Sequence, residues 1–582
     1  MMQTQRTILW VIFVMSLVFL WDAWQRDHGR PSLFGGSSSQ QTRPAGGEAG
    51  PGTASPGAAP SGTRTDGAIP AAPAGGPAAA GGAAGGPATG VAPSAAGASA
   101  ATGAGQALTF GNDVLQLTVG TVGATLQRAE LLKHRDEGNA HNLVLLDSEP
   151  GRFYQGQAGV VGVDGAPNHT VPWTVTEGPT AATAGEPARL VLTATGGGIK
   201  VERRYLLQPG SYELKVEDRI TNVSDRPLSP TVYRQLTRDG NPPPGGSAMY
   251  STYSGPVIYT DEAKFQKVDF PSIEKGKASH IKQANDGWLG IIQHYFAVAW
   301  IPQQQQPREY YTRRIDNNLY SVGVLQGIGQ VAPGQTVDSR STLYIGPQNQ
   351  QVLEKVAPGL DLVVDYGWLT AIAKPLFWLL DLLHSWVRNW GWAIVLLTIL
   401  VKLAFFPLQA ASYRSMAKMR KVTPKMTAIR ERYGNDRMKM NQAMMELYKT
   451  EKINPLGGCL PVVVQIPVFI ALYWVLLASV EMRNAPWVGW IRDLAAPDPF
   501  FILPVLMAIT MFVQTKLNPT PPDPMQAKLM MWMPLVFSVM FFFFPAGLVL
   551  YWLVSNLFSI VQQWVITRRI EGKPIFGRAP AG

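Results

Sequence analysis

Apolar residues crowd the two ends of this chain while its middle reads as soluble, and the period of the pattern divides it into parts. Thr7 to Ala23 is a first apolar stretch behind Arg6, marked by Trp21, Asp22 and Trp24 and lacking a small-x-small cleavage site. An uncleaved transmembrane anchor is therefore expected over residues 1–28, with its tryptophans at the interface. Residues 29–106 are Gly, Ala, Pro and Ser with very few large apolar side chains. Such a segment cannot bury enough surface to offset the entropy of ordering, which predicts a disordered tether. From Ala107 onward, short runs of period two appear, such as Leu115, Leu117 and Val119, or Tyr212, Leu214 and Val216 set against Glu213, Lys215 and Glu217. Turns rich in Gly, Pro, Asn and Asp separate them, so residues 107–355 are expected to form an all-β antiparallel sandwich.

The period then lengthens. Over residues 366–388, Lys374, Asp381 and Arg388 recur every seven residues opposite Leu369, Ile372, Leu376, Leu379 and Leu383, with Trp368, Trp378 and Trp386 around them. That pattern predicts an amphipathic helix lying in the membrane interface. Five further segments are apolar enough to span: Gly391–Leu408, Cys459–Ser479, Phe500–Leu517, Leu529–Phe544 and Gly547–Ile566. Leu529–Phe544 is short for a hydrocarbon core about 30 Å thick, so local thinning is expected beside it.

Charge orients these segments. The formal net charge of the whole chain is +10, but Lys402 together with everything from Ala411 onward carries 20 Lys and Arg against 9 Asp and Glu, which is +11. The loop Ala411–Pro455 alone holds 11 basic residues against Glu431, Asp436, Glu446 and Glu451, and the tail 568–582 holds Arg568, Arg569, Lys573 and Arg578 against Glu571. The positive-inside rule places both in the cytoplasm, together with the Asn518–Gln526 loop. Parity then sets the sandwich outside and the N-terminus inside, with six spans. One cysteine, Cys459, excludes an intramolecular disulfide and reads as a small packing residue.

Lys402 stands alone in an otherwise apolar span. A lone ammonium there costs about 2.5 to 3.5 kcal/mol on insertion scales, which marks a functional position unless the stem reaches the headgroups past Pro407. Thr398 on the same helix, Gln465 in the third span, and Ser555, Asn556, Gln562 and Gln563 in the last give it polar company. Together they predict a hydrated pocket at membrane depth. The basic loop reads as a helical hairpin over 411–453: Met419, Val422, Met426, Ile429 and Tyr433 line a seam, Gly434 to Asp436 break it, Asp436 caps the second arm, and Pro424 bends the first. Met416, Met419, Met426, Met438, Met440, Met444 and Met445 decorate it. Methionine adapts its shape to many apolar partners, so the hairpin is a candidate client-contact surface, with simple seam packing as the alternative. Its basic face suits anionic lipid headgroups; contact with ribosomal RNA has no base-reading motif behind it, so sequence-specific nucleic-acid binding is not expected. His134, His141, His169, His280 and His294 lack metal-ligand spacing, and no phosphate loop, HExxH or GxSxG occurs. No enzyme, cofactor or metal is expected.

The run Asn454-Pro-Leu-Gly-Gly-Cys-Leu-Pro461 with Gln465 and Pro467, and then Phe544-Pro-Ala-Gly-Leu-Val-Leu-Tyr551 with Ser555-Asn556, resembles the YidC insertases of Gram-negative bacteria. Asp365-Tyr-Gly-Trp368 and Met416-Ala-Lys-Met419 match as well. The resemblance covers nearly all of the chain but the tether. It implies a polytopic α-helical inner-membrane protein with a five-helix insertase core over 389–567 and a periplasmic β-supersandwich. Its implied partners are nascent membrane proteins, the ribosome, the Sec translocon (SecYEG, SecDF) and anionic lipids. It also implies a hydrophilic groove, open to cytoplasm and lipid, in which Lys402 stands where the family usually carries arginine; the charge survives without the bidentate fork. Thr398, Gln465 and Phe469 match groove or substrate-facing positions, Asn556 joins them, and Trp552 replaces a usual tyrosine. Two other classes stay open on the residues alone: a small-solute or ion transporter coupled through Lys402, disfavoured by the lack of duplicated halves, and a carbohydrate-active enzyme, since the supersandwich resembles sugar-binding folds.

Overall fold

The computed structural model describes residues 69–70, 105–136, 140–149, 151–183, 185–243, 252–433, 436–451, 460–517 and 524–571. The anchor expected over 1–28, nearly all of the tether, Cys459 with the Asn454–Gly458 part of its motif, and the tail beyond Glu571 lie outside these residues. Two compact units part between Val363 and Val364.

The first unit is built from two nine-stranded antiparallel sheets. In one, Thr231–Asp239 runs between Tyr154–Val161 and Leu319–Gly327. In the other, Thr336–Pro347 runs between Phe296–Pro302 and Glu213–Asn222. The period-two pattern has its expected result along Glu213–Asn222, where Leu214, Val216 and Ile220 are buried and Lys215 and Arg219 are exposed. One continuous apolar cluster from both sheets forms the core. Thr231–Asp239 is buried along its whole length, although it carries Arg234, Gln235, Thr237 and Arg238. Its charge is compensated locally. Asp218 accepts from Arg203 Nε at 2.6 Å and lies 3.6 Å from Arg234 Nη2, while the Arg203 guanidinium stacks 4.8 Å above the Trp173 ring. His169 lies against Tyr233, and burial, reinforced by Arg313 and Arg203, pushes its imidazole down to about 4, so it is neutral at pH 7.

The second unit is helical. Helix α1 (Thr370–Val387) buries Ala373, Phe377, Leu380 and Leu383 and exposes Trp378 and Trp386. Of the apolar residues opposite the charged stripe, Leu383 is buried, as is Leu369 just before the helix, and Ile372, Leu376 and Leu379 are half-buried. The neighbours decide this, because α1 packs on two other helices and the seam between them selects the small Ala373. Helix α2 (Trp390–Ala404) begins at Asn389, whose amide oxygen accepts from Trp392 N and whose Nδ2 donates to Pro486 O at 3.1 Å. Gly391 is required here, since a Cβ would strike the Trp487 ring.

At Phe405 the chain turns by 65° into α3 (Phe406–Tyr433). Pro407 falls in the first turn of α3, where its missing amide costs nothing, and the helix continues through Pro424. The expected single span Gly391–Leu408 is therefore broken, and the first arm of the hairpin starts at Phe406 instead of Ala411. After Asp436, which caps it, come α4 (Arg437–Thr450), α5 (Leu460–Ala478), α6 (Ile502–Leu517), α7 (Pro524–Met540) and α8 (Ala546–Glu571). Among the described residues, α8 alone contains an unbroken helix long and apolar enough to cross a bilayer, and the bent α2–α3 pair makes a second candidate. Val464–Ala478, Ile502–Leu517 and Met531–Phe543 are apolar but shorter. Leu400, Leu403, Val464, Ile466, Ile509, Phe512, Val536, Val539, Leu557 and Val561 are exposed around this unit, far more apolar surface than a water-facing bundle carries.

Candidate functional site

Lys402 sits in the last turn of α2, only 4% exposed. The ammonium donates to Ser559 Oγ on α8 at 2.9 Å, and that hydroxyl donates in turn to Ser555 O. An ammonium has three donors. Among the described residues, Lys402 fills one of them within the protein.

Around it lies a run of buried amides. Gln562, one turn beyond Ser559 on α8, donates to Phe406 O at 3.4 Å. Gln409, three residues past Phe406 on α3, donates to Gln465 Oε1 on α5 at 3.0 Å. Spacings of three put these pairs side by side, so α2, α3, α5 and α8 share one polar seam. Among the described residues, Gln409 Oε1, Gln465 Nε2 and Gln562 Oε1 are buried without a hydrogen-bond partner. Buried polar atoms left this way cost about 1–3 kcal/mol each unless water or a polar guest reaches them. The seam is chemically suited to holding a hydrated peptide segment.

The other expected site residues divide. Thr398 is buried one turn before Lys402, with its hydroxyl bonded at 2.6 Å to Ile394 O of its own helix. Asn556 turns to α6, where Nδ2 approaches Met507 Sδ at 3.5 Å, and Gln563 follows it there by donating to Leu517 O. These two form a second polar contact of α8 and are not part of the Lys402 seam. Phe469 and Trp552 lie 6.4 Å apart between α5 and α8, and Trp552 meets Phe541 edge-on at 4.6 Å. Phe469 also meets Tyr551 edge-on at 5.3 Å, and the Tyr551 hydroxyl is buried without a partner among the described residues.

The hairpin methionines divide as well. Val422 and Met426 are buried in a cluster with Met419, Met444, Leu447 and Tyr448, so Met419, Met426 and Met444 hold the two arms together. Met438 and Met445 are 83% and 61% exposed, and Met416 is half-buried. Met438 and Met445 present the most exposed of these side chains. Sequence reasoning passed over Ser559 and Gln409. Gln409 fell beyond the assumed end of a span, and the one available signal for Ser559 was its place one turn after Ser555, a pattern usually explained by hydroxyls bonding back to their own helix. Among the described residues no cluster of His, Cys, Asp and Glu could hold a metal ion.

Two family models match the chain, YidC periplasmic domain over residues 107–379 and 60Kd inner membrane protein over residues 382–573. The membrane protein insertase YidC of Cupriavidus necator is 52% identical over 574 residues, covering 98% of this chain and 99% of that one. The insertase of the same name from Ralstonia nicotianae is 52% identical over 570 residues, covering 98% of both chains. A crystal structure of an active YidC insertase with its first transmembrane domain resolved aligns over 77% of this chain and 90% of that one, at 18% identity and a TM-score of 0.37, too loosely to add to the argument.

Proposed function

From the premise that this chain belongs to the YidC family of membrane protein insertases, we propose how its own residues carry out insertion. It is a multi-pass inner-membrane protein with a periplasmic domain, and its work is the insertion and chaperoning of other membrane proteins without covalent catalysis. No finding favours a transporter.

In our reading, six spans set both termini in the cytoplasm, with the bent α2–α3 pair, α5, α6, α7 and α8 as the core and the N-terminal apolar stretch as the sixth. A polar N-terminal tail or short loop of a client meets the exposed Met438 and Met445 on the basic hairpin, near anionic headgroups and the ribosome. It then enters the seam, where Lys402 and the partnerless oxygens and nitrogens of Gln409, Gln465 and Gln562 replace part of its hydration. The apolar segments of the client leave sideways past Phe469 and Trp552 into lipid, driven by roughly 25 cal/mol per Å² of buried apolar surface. The membrane potential assists acidic tails by about 2.3 kcal/mol per charge per 100 mV. The Sec translocon (SecYEG, SecDF) is the expected partner for larger clients. The observation that carries this reading is Lys402: among the described residues, a buried cation with one protein partner, in a seam of amides short of partners.

Photocrosslinking from positions 398, 402 and 469 to stalled nascent chains tests it. Adducts from 402 with polar-tailed clients, and from 469 with their apolar segments, are expected. Adducts from the lipid-facing position 557 alone would overturn the seam as the route.

A further inference from the structure

Residues 29–106 carry a single large apolar side chain between Phe34 and Val91, and it is Ile69. Ile69 packs against Val161, Tyr233, Leu325 and Tyr311 of the β unit, and Pro70 beside it is buried. These four residues occupy one face of one sheet. Tyr233 stands opposite both Gly159 and Leu325, and Tyr311 stands opposite Gly323, so adjacent strands present them together. The glycines have a purpose here: a Cβ at Gly323 would meet the Tyr311 ring, and one at Gly159 would meet the Tyr233 hydroxyl. Both rings can therefore lie low across the strands and leave a shallow socket. Tyr311 is fixed by donating its hydroxyl to Gln235 Oε1 at 2.7 Å, and Tyr233 accepts from the His169 amide at 3.1 Å. Arg313, whose guanidinium lies 5.4 Å from the centre of the Tyr311 ring, donates Nη1 to Ile69 O at 2.9 Å.

We propose that Ile69-Pro70 is an internal docking peptide, seated in the Tyr233–Tyr311–Arg313 socket so that the long Gly/Ala/Pro segment is pinned to the periplasmic domain near its middle. The chemistry is that of proline-peptide recognition: aromatic walls for the apolar pair, one charged donor for the carbonyl before proline, and a residue whose φ is already fixed, so that little entropy is lost on seating. Docking shortens the chain that runs between the N-terminal apolar stretch and the domain from residues 29–106 to residues 29–68.

The test uses the full-length protein with Cys459→Ser and Leu325→Cys, and reads the rate of maleimide labelling at position 325 beneath Ile69. Ile69→Ser combined with Pro70→Gly alters the peptide alone, and both proteins compared carry the same Leu325→Cys reporter in the socket, so a difference between them cannot come from misfolding of the sheet. About tenfold faster labelling is expected in that variant, and a smaller rise with Arg313→Ala, because each removes part of the cover. Equal labelling with the intact and altered peptide would overturn the proposal.

Discussion

Replacing Lys402 by methionine should change folding and insertion in opposite directions. Lys402 is 4% exposed and, among the described residues, makes one hydrogen bond, to Ser559 Oγ. Taking an ion out of water costs several kcal/mol, and one neutral hydroxyl offsets only part of it, so an apolar residue of similar volume should hold the bundle as well or better, by about 1–4 kcal/mol. For a guest the sign reverses. Each charge-assisted bond from the ammonium to a client carbonyl or carboxylate is worth about 1.5–3 kcal/mol. Its loss lowers occupancy of the seam about tenfold to hundredfold. Thermal unfolding in lipid nanodiscs should therefore show an unchanged or raised midpoint for Lys402→Met. Insertion into proteoliposomes should fall for clients with polar tails and persist for a purely apolar hairpin. Lys402→Arg should keep both properties. A lowered midpoint with insertion of every client intact would refute the reasoning and make Lys402 a structural residue.

Other expectations follow from the same geometry. Asp218→Ala leaves Arg203 and Arg234 buried without their carboxylate, which should cost about 3–5 kcal/mol and appear as lost hydrogen-exchange protection in Glu213–Asn222. His169, held down to about 4 by burial first and then by Arg313 and Arg203, binds a proton more readily unfolded than folded. The domain should keep its full stability above pH 6.5 and lose up to ~3 kcal/mol as the pH falls to about 4; a flat profile matching that of His169→Gln would contradict this. Met426→Ser should loosen the hairpin by about 2 kcal/mol, seen as faster exchange in both arms, because Met426 is 6% exposed in its seam. Met438→Ser should leave exchange unchanged and lower client crosslinking to the hairpin, since its side chain is 83% exposed.

Much of the site was legible in the order of residues, and the rest was hidden for identifiable reasons. The period of two from Leu115 onward pointed to a sandwich because a strand with one wet face must alternate. Lys402 stood out because hydrocarbon makes any charge conspicuous. Its hydrogen-bond partner did not stand out, since Ser559 lies 157 residues further along and a serine in a membrane helix has an ordinary explanation in its own backbone. The seam methionines and the exposed ones look alike in sequence; only the packing of α3 on α4 separates Met426 from Met438.

The sequence by itself determined which stretches are apolar, where charge orients them, and where a cation would be costly, because these follow from composition and spacing along one dimension. Only the tertiary structure decided the turn at Phe405 that buries Lys402, the face that α1 hides, the compensation of Asp218 by two arginines, and the seat that Ile69 finds among tyrosines. Each of those depends on a partner far away in the chain, and the energy of a contact is not written in either residue alone.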